Sequence, residues 1–258
     1  MDIDPIYWTI DETKIESAIT EKTTWILATH VFGNPCNVEE IERIAKKHKL
    51  YVIYDAAHCF GVKYKGKSIF DWSDISTCSF QATKIFHTGE GGAPFFNNKE
   101  FYEKVFYSHN FGHKSPTDFH GVGNNGKISE LQATMGLAVL PYMNEIIENR
   151  RFIYQKYYRE IEEYQFLQIR TETDWNYHYV PMFTKTNQNM ESLLQAMTVA
   201  QIFPRRYFYT ALNTLQYVNR KHCVKGESIS NRIVCLPISN NLEITELSKV
   251  IFLITVVR

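Results

Sequence analysis

The stretch Ser79-Phe-Gln-Ala-Thr-Lys84, followed closely by Gly89-Glu-Gly-Gly92, sets a lysine among hydroxyl and glycine neighbours, and Asp55-Ala-Ala-His58 lies upstream with an acid and an imidazole. A lysine amine can bond covalently to a carbonyl carbon only when it is neutral and nucleophilic, which requires a partly dry site and polar partners. Lys84 is therefore the candidate covalent anchor of this chain, and the Asp55 box is its candidate partner.

Such residues need elements that bring them together. Thr23 to His30 reads as a buried strand, Asn37 as the cap of a helix through Lys47, and Leu50 to Tyr54 as a second continuous apolar strand. Val38, Ile41, Ile44 and Ala45 fall on one face of that helix. Strand, capped helix, strand is the pattern of a crossover unit in a parallel sheet. Ligands gather at the carboxyl ends of such strands, and Asp55 stands at one of these ends. Ser76 to Phe80 reads as a third strand, with Ser79 to Lys84 at its exit, so an acid and a lysine can face one site. Gly91 to Phe96 is a further strand, which Pro94 places at an edge or bulge. Earlier, Asp11 is a candidate cap for a helix from Glu12 to Ile19. Later come a helix over Lys99 to Tyr107, a long loop from His109 to Asn125, and a helical pattern from Ile128 to about Glu163 that Pro141 interrupts. The texture then changes to an aromatic α+β pattern, with a helix near Glu191 to Ala200. The predicted organisation is a large domain over 1–150 and a smaller one over 151–258.

Composition bounds the function class. Lys plus Arg equals Asp plus Glu at 28 each, which gives no broad attraction to nucleic acid or membrane. The five cysteines are odd in number, scattered and without a CxxC pair, which argues against a disulfide framework or structural zinc site and fits a cytoplasmic protein. No apolar run approaches the roughly 20 residues that span a bilayer. The glycines near Lys84 do not form a phosphate-binding fingerprint, so tight backbone packing is their expected purpose. His109, His113 and His120 match no standard metal-ligand spacing.

The ordered combination of His30 with Gly33, Asp55-Ala-Ala-His58, Ser79 to Lys84, Gly89 to Gly92, and Asn125 to Gln132 resembles the DegT/DnrJ/EryC1/StrS family of sugar aminotransferases over essentially the whole chain. The resemblance implies a pyridoxal-phosphate-dependent transferase of fold type I, with a three-layer α/β/α large domain and a smaller α+β C-terminal domain. It implies that Lys84 holds the cofactor and later acts as the base, that Asp55 pairs with the pyridine nitrogen, that His58 contacts the ring or its phenolic oxygen, and that Ser79 donates to the phosphate. Asn125 would reach the phosphate of a neighbouring subunit's cofactor, which implies a homodimer. The sequence departs from the pattern at Gly126 and Lys127, where many members carry an aromatic residue and arginine. Arg205, Arg206 and Tyr209 are candidates for substrate contact, since guanidinium matches carboxylate and phosphate bidentately.

Each residue also has a plainer reading. Lys84 can be a solvated loop residue, Asp55 a turn cap, His58 a core histidine, Ser79 a partner of nearby backbone, Asn125 a left-handed turn residue, and the arginines surface charges over aromatic packing. The expected activity is transamination of a nucleotide-linked keto-deoxysugar, such as a dTDP-4-keto-6-deoxyhexose, with an amino acid donor such as glutamate. Two alternatives stand beside it. Because the chain opens without the Gly-Thr or Ser-Thr helix start that cups the phosphate in the family, the large domain reads as incomplete at its N-terminus and the chain as a truncated remnant; or it is a non-enzymatic pyridoxal-phosphate protein that regulates.

Overall fold

In the computed structural model, which describes residues 1–256, the elements in chain order are α1 (Ile15–Ala18), β1 (Trp25–Thr29), α2 (Val38–His48), β2 (Tyr51–Asp55), β3 (Lys63–Tyr64), β4 (Lys67–Ser68), β5 (Ile75–Ser79), β6 (Gly92–Phe96), α3 (Lys99–Ser108), α4 (Glu130–Val139), α5 (Met143–Glu160), β7 (Gln165–Phe166), β8 (Thr173–Asp174), β9 (Pro181–Phe183), α6 (Asn187–Val199), α7 (Val224–Arg232), β10 (Ile233–Cys235) and α8 (Ile244–Val256). They fall into two units, one of residues 19–143 with 172–174, the other of residues 1–18, 144–171 and 175–258.

The first unit carries the Lys84 stretch. Its main sheet has the order β1-β2-β5-β6, with β1, β2 and β5 parallel and β6 antiparallel at the edge. The helix between β1 and β2 forms as its sequence dictates: the Asn37 side-chain oxygen accepts the Glu40 N–H at 3.3 Å, and Lys46, Lys47 and His48 complement the dipole of the last turn. Val38, Ile41, Ile44 and Ala45 are buried on one face. Pro94 sits in β6 opposite Thr77, at an edge where its missing N–H costs no central ladder bond.

Continuous apolar runs predict strands buried on both sides, but β1 and β2 alternate. Ile26, Ala28, Val52 and Tyr54 are buried, while Leu27 is 66% exposed and Tyr51 42%. On that second face Phe101 of α3 packs against Trp25 and Tyr51, with ring centroids 5.1 and 4.9 Å away, and this cover does not extend to Leu27.

In the other unit, Met1–Ala18 folds back on itself and onto the C-terminal part of the chain. Asp4 accepts the Ile6 and Tyr7 amides at 2.8 Å each. The Asp2 carboxylate accepts the Lys225 and Gly226 amides at 3.0 and 2.9 Å, so it caps the open first turn of α7 from a distant point in the sequence. Burial opposes the charge on Asp2, yet these amides and that of Ile3 hold its carboxyl below the usual range. Asp11 instead bonds the Thr13 hydroxyl and the Lys14 ammonium. It gives no side-chain bond to the backbone, and the expected helix reduces to a 3-10 turn, Glu12–Lys14, and the single turn α1. The core of this unit joins Ile153 and Tyr157 of α5, Met182 of β9, Leu193 and Met197 of α6, and Leu247, Val250, Ile251 and Ile254 of α8. Those spacings are the three- and four-residue steps of buried helix faces.

Candidate active site

Asp55 ends β2 between two parallel neighbours. It lies opposite Thr29 of β1 and Thr77 of β5. Its carbonyl accepts the His30 N–H at 3.0 Å, and the next amide, Ala56, donates to the Thr77 carbonyl at 2.9 Å. One carboxylate oxygen accepts the Ala57 N–H at 3.1 Å, so the turn-cap reading of Asp55 holds for that oxygen. The other oxygen has no hydrogen bond among the described residues.

The loop leaving β1 folds over this strand end on two histidines. His30 Nδ1 accepts the Cys36 N–H at 3.0 Å, and His58 Nδ1 accepts the Phe32 N–H at 3.0 Å. Phe32 turns its amide to His58 with φ of 55° and ψ of 19°, a left-handed conformation uncommon for a bulky residue. Its ring stacks with the imidazole at 6.1 Å. His58 is only 7% exposed. Burial, with the Lys84 ammonium adding to it, lowers its pKa from 6.5 to about 3, so the ring is neutral at neutral pH.

Lys84 lies on the turn that follows β5. Its amide donates to the Gln81 carbonyl at 2.8 Å, the Thr88 amide to the Phe80 carbonyl at 2.9 Å, and the Phe80 amide to the Gly91 carbonyl at 2.9 Å. Ile85 and Phe86 are buried behind the turn, and Phe86 stacks on Phe60 at 4.2 Å and meets Phe80 edge-on at 5.0 Å. The glycines make room for it. A methyl group on Gly91 would lie 2.6 Å from Thr88 Oγ1, one on Gly92 2.8 Å from the Cys78 carbonyl, and one on Gly136 of α4 2.9 Å from Thr88 Cγ2. Close packing is thus what these glycines provide.

Cys78, one residue before the end of β5, reports how the charges are placed. Burial pushes its thiol up to about 12, the Lys84 ammonium opposes that rise, and the Asp55 carboxylate adds to it. The carboxylate and the ammonium thus act on the Cys78 thiol in opposite directions. The Lys84 ammonium makes no hydrogen bond or ion pair among the described residues.

Ser79 faces the same strand ends, and its hydroxyl oxygen accepts the Gln81 N–H at 3.3 Å. Asn125 lies apart from these residues on the exposed loop, its backbone bridged to Asn110 and its side-chain oxygen accepting the Lys127 ammonium at 2.8 Å. Neither Asn125 nor Gly126 is left-handed, so the turn reading of Asn125 finds no support. On the same loop His113 packs on Phe119 and His120 on Tyr107. Arg205, Arg206 and Tyr209 belong to the other unit. There Arg205 donates to the Tyr207 hydroxyl at 3.0 Å, and Arg206 donates to the Asn231 carbonyl at 3.2 Å and stacks under Tyr209 at 3.4 Å. Phe32 and Cys78 had no signal in the sequence, because a backbone conformation and an electrostatic neighbourhood have no one-letter signature.

The residues fit pyridoxal phosphate by their chemistry: an ammonium with no internal partner, an acid with one free oxygen, a neutral imidazole and a serine gather at adjacent parallel strand ends. Comparison with known proteins agrees. The sequence model of the DegT/DnrJ/EryC1/StrS aminotransferase family matches residues 1–255. A dTDP-4-amino-4,6-dideoxy-D-glucose transaminase of Shigella dysenteriae is 34% identical over 251 residues, covering 94% of this chain and 68% of the relative. A GDP-perosamine synthase of Escherichia coli O157:H7 is 32% identical, covering 92% and 66%. The crystal structure of DesI, solved in the presence of its TDP-sugar product, shares the fold with a TM-score of 0.91 at 24% identity, covering 98% of this chain and 67% of that one. The chain thus spans about two thirds of the length of these relatives.

Proposed function

The chain belongs to the DegT/DnrJ/EryC1/StrS aminotransferase family, whose members use pyridoxal phosphate, and on that premise we propose that it moves an amino group from an amino acid donor such as glutamate to a keto group on a nucleotide-linked deoxysugar. The observation that carries this reading is that β2, ending at Asp55, runs parallel to β5, which ends at Ser79 and leads directly into the turn that bears Lys84. Bound pyridoxal phosphate supplies an electron sink for the carbon that loses its proton.

The chain's own residues supply the rest. Lys84 would hold the cofactor through its amine and would serve as the base at the donor carbon. Asp55, fixed by the ladders on both sides, keeps the pyridine nitrogen protonated with its unbonded oxygen. Ser79 donates its hydroxyl to the phosphate. Asn125, on its exposed loop, reaches the cofactor phosphate of a second copy, so the active unit is a homodimer. Arg205 and Arg206 with Tyr209 contact the sugar nucleotide. A dTDP-linked 4-keto-6-deoxyhexose is the proposed acceptor, supported by the name of the Shigella relative; the GDP-sugar name of the second relative makes a GDP-linked ketose the comparison substrate.

The test is an absorbance titration with pyridoxal phosphate followed by assay with glutamate and both keto-sugar nucleotides. The unmodified chain should develop the absorbance of lysine-bound cofactor, and Lys84→Ala should lose that absorbance together with more than about 1000-fold of turnover. Full turnover in Lys84→Ala, or no cofactor absorbance in the unmodified chain, would overturn the reading.

A further inference from the structure

Helix α7 has little of its own to hold it. Its nine residues include Gly226, Ser228, Ser230 and Asn231, all weak helix formers, and a helix this short is marginal in water by itself. Cys223, at its N-cap, makes no side-chain bond to the first turn. Asp2 makes those bonds in its place: its carboxylate accepts the Lys225 and Gly226 amides at 3.0 and 2.9 Å, the amides that a serine or aspartate at the N-cap would serve. The last turn of α7 holds in turn the segment that bears Arg205, Arg206 and Tyr209. The buried Ser230 hydroxyl donates to the Phe208 carbonyl at 2.6 Å, and Arg206 donates to the Asn231 carbonyl at 3.2 Å. Just past the helix, the Cys235 amide donates to the Arg205 carbonyl at 2.8 Å and the Arg205 amide to the Cys235 carbonyl at 3.0 Å.

That segment needs a fixed support. Phe208 holds a φ of 60°, uncommon for a bulky side chain, and such backbone persists only where its surroundings determine it. We propose that Asp2 is a positioning residue for the segment over Arg205 to Tyr209. By capping α7 it fixes the helix whose last turn holds Arg206 and Phe208, and it thereby sets the stacked pair of Arg206 and Tyr209 for a sugar nucleotide. The link to the sugar nucleotide rests on the function proposed above; the link from Asp2 to the segment does not. Asp2 acts through α7, a rigid element between two points, so a cap supplied to α7 from elsewhere should do the same work.

The experiment is residue-resolved amide hydrogen exchange by NMR on the unmodified chain, Asp2→Ala, Ser230→Ala and the double variant Asp2→Ala with Cys223→Ser. Turnover with glutamate and a dTDP-4-keto-6-deoxyhexose is then measured on each. In Asp2→Ala the Arg205 and Cys235 amides should exchange about fivefold faster or more, the loss expected of a helix cap, while the amides of α5 and α8 keep their rates. Cys223→Ser returns a capping hydroxyl to α7 and should bring the Arg205 and Cys235 rates back to within about twofold of the unmodified chain. Ser230→Ala should speed the same two amides and leave those of Lys225 and Gly226 unchanged. Equal acceleration in α5 and α8 would mean that Asp2 serves the stability of the whole unit, and would overturn the positioning role. Unchanged exchange at Arg205, or failure of Cys223→Ser to restore it, would overturn that role as well. In turnover, Asp2→Ala should raise KM for the keto-sugar nucleotide about three- to tenfold, with kcat and the cofactor absorbance within about twofold. An unmoved KM overturns the link to the sugar nucleotide alone. Absence of turnover in the unmodified chain overturns the proposed function and that link with it, while the exchange rates still decide the role of Asp2.

Discussion

His58 links protonation to folding. Its pKa falls from 6.5 to about 3 on burial, so below pH 6.5 the unfolded chain takes up a proton that the folded chain refuses. The stability tied to His58 is therefore fully present above pH 6.5 and is lost progressively as pH falls toward 3, at about 1.4 kcal/mol per pH unit over most of that range. Urea midpoints at pH 7 and pH 5 should differ more for the unmodified chain than for His58→Gln; parallel shifts would refute this assignment. At this scale the sequence disclosed the candidates but not their surroundings. Lys84, Asp55 and His58 were legible because an amine, an acid and an imidazole at strand exits already define a chemistry. What they touch depends on Phe32 and on Cys78, whose roles arise only when β1, β2 and β5 lie side by side.

The elements obey their local rules where the decisive contact is local. The Asn37 cap, the edge position of Pro94 and the break at Pro141 were all readable, because each follows from a hydrogen bond or ring constraint within a few residues. The helix expected from Glu12 to Ile19 was not realised in full, since Asp11 bonds side chains and leaves the helix amides uncapped. Gly92 holds β6 against β5 at a distance no side chain permits, since a methyl group there would lie only 2.8 Å from the Cys78 carbonyl. Gly92→Ala should therefore cost about 1–3 kcal/mol by forcing the strands apart. Gly121→Ala, where nothing lies within 4 Å, should stay within about 0.5 kcal/mol. Thermal unfolding of the two variants makes the comparison, and equal losses would show that the close approach is not what Gly92 serves.

Across the whole molecule, the sequence was least informative about contacts between distant parts of the chain. Nothing near Asp2 announces that it caps α7 through the Lys225 and Gly226 amides. Nor does a continuous apolar run reveal that Leu27 stays largely uncovered; the run records hydrophobicity, not what packs on it. The proposed homodimer makes a prediction at this scale. Lys84→Ala and Asn125→Ala chains, each impaired alone, should complement when mixed, because a mixed dimer holds one site with Lys84 from one copy and Asn125 from the other. Activity should recover toward roughly a quarter of the unmodified rate with free subunit exchange, and the absence of recovery despite dimers by light scattering would place Asn125 outside the neighbour's site. A last consequence follows from the ladders around Asp55. The backbone of the acid is tied to strands on both sides through His30, Ala56 and Thr77, whereas Lys84 rides on a turn beyond the end of β5. The acid is thus held by the sheet itself, and the lysine by a separate turn with its own hydrogen bonds and close glycine packing, so a change to one jaw of the site leaves the support of the other in place.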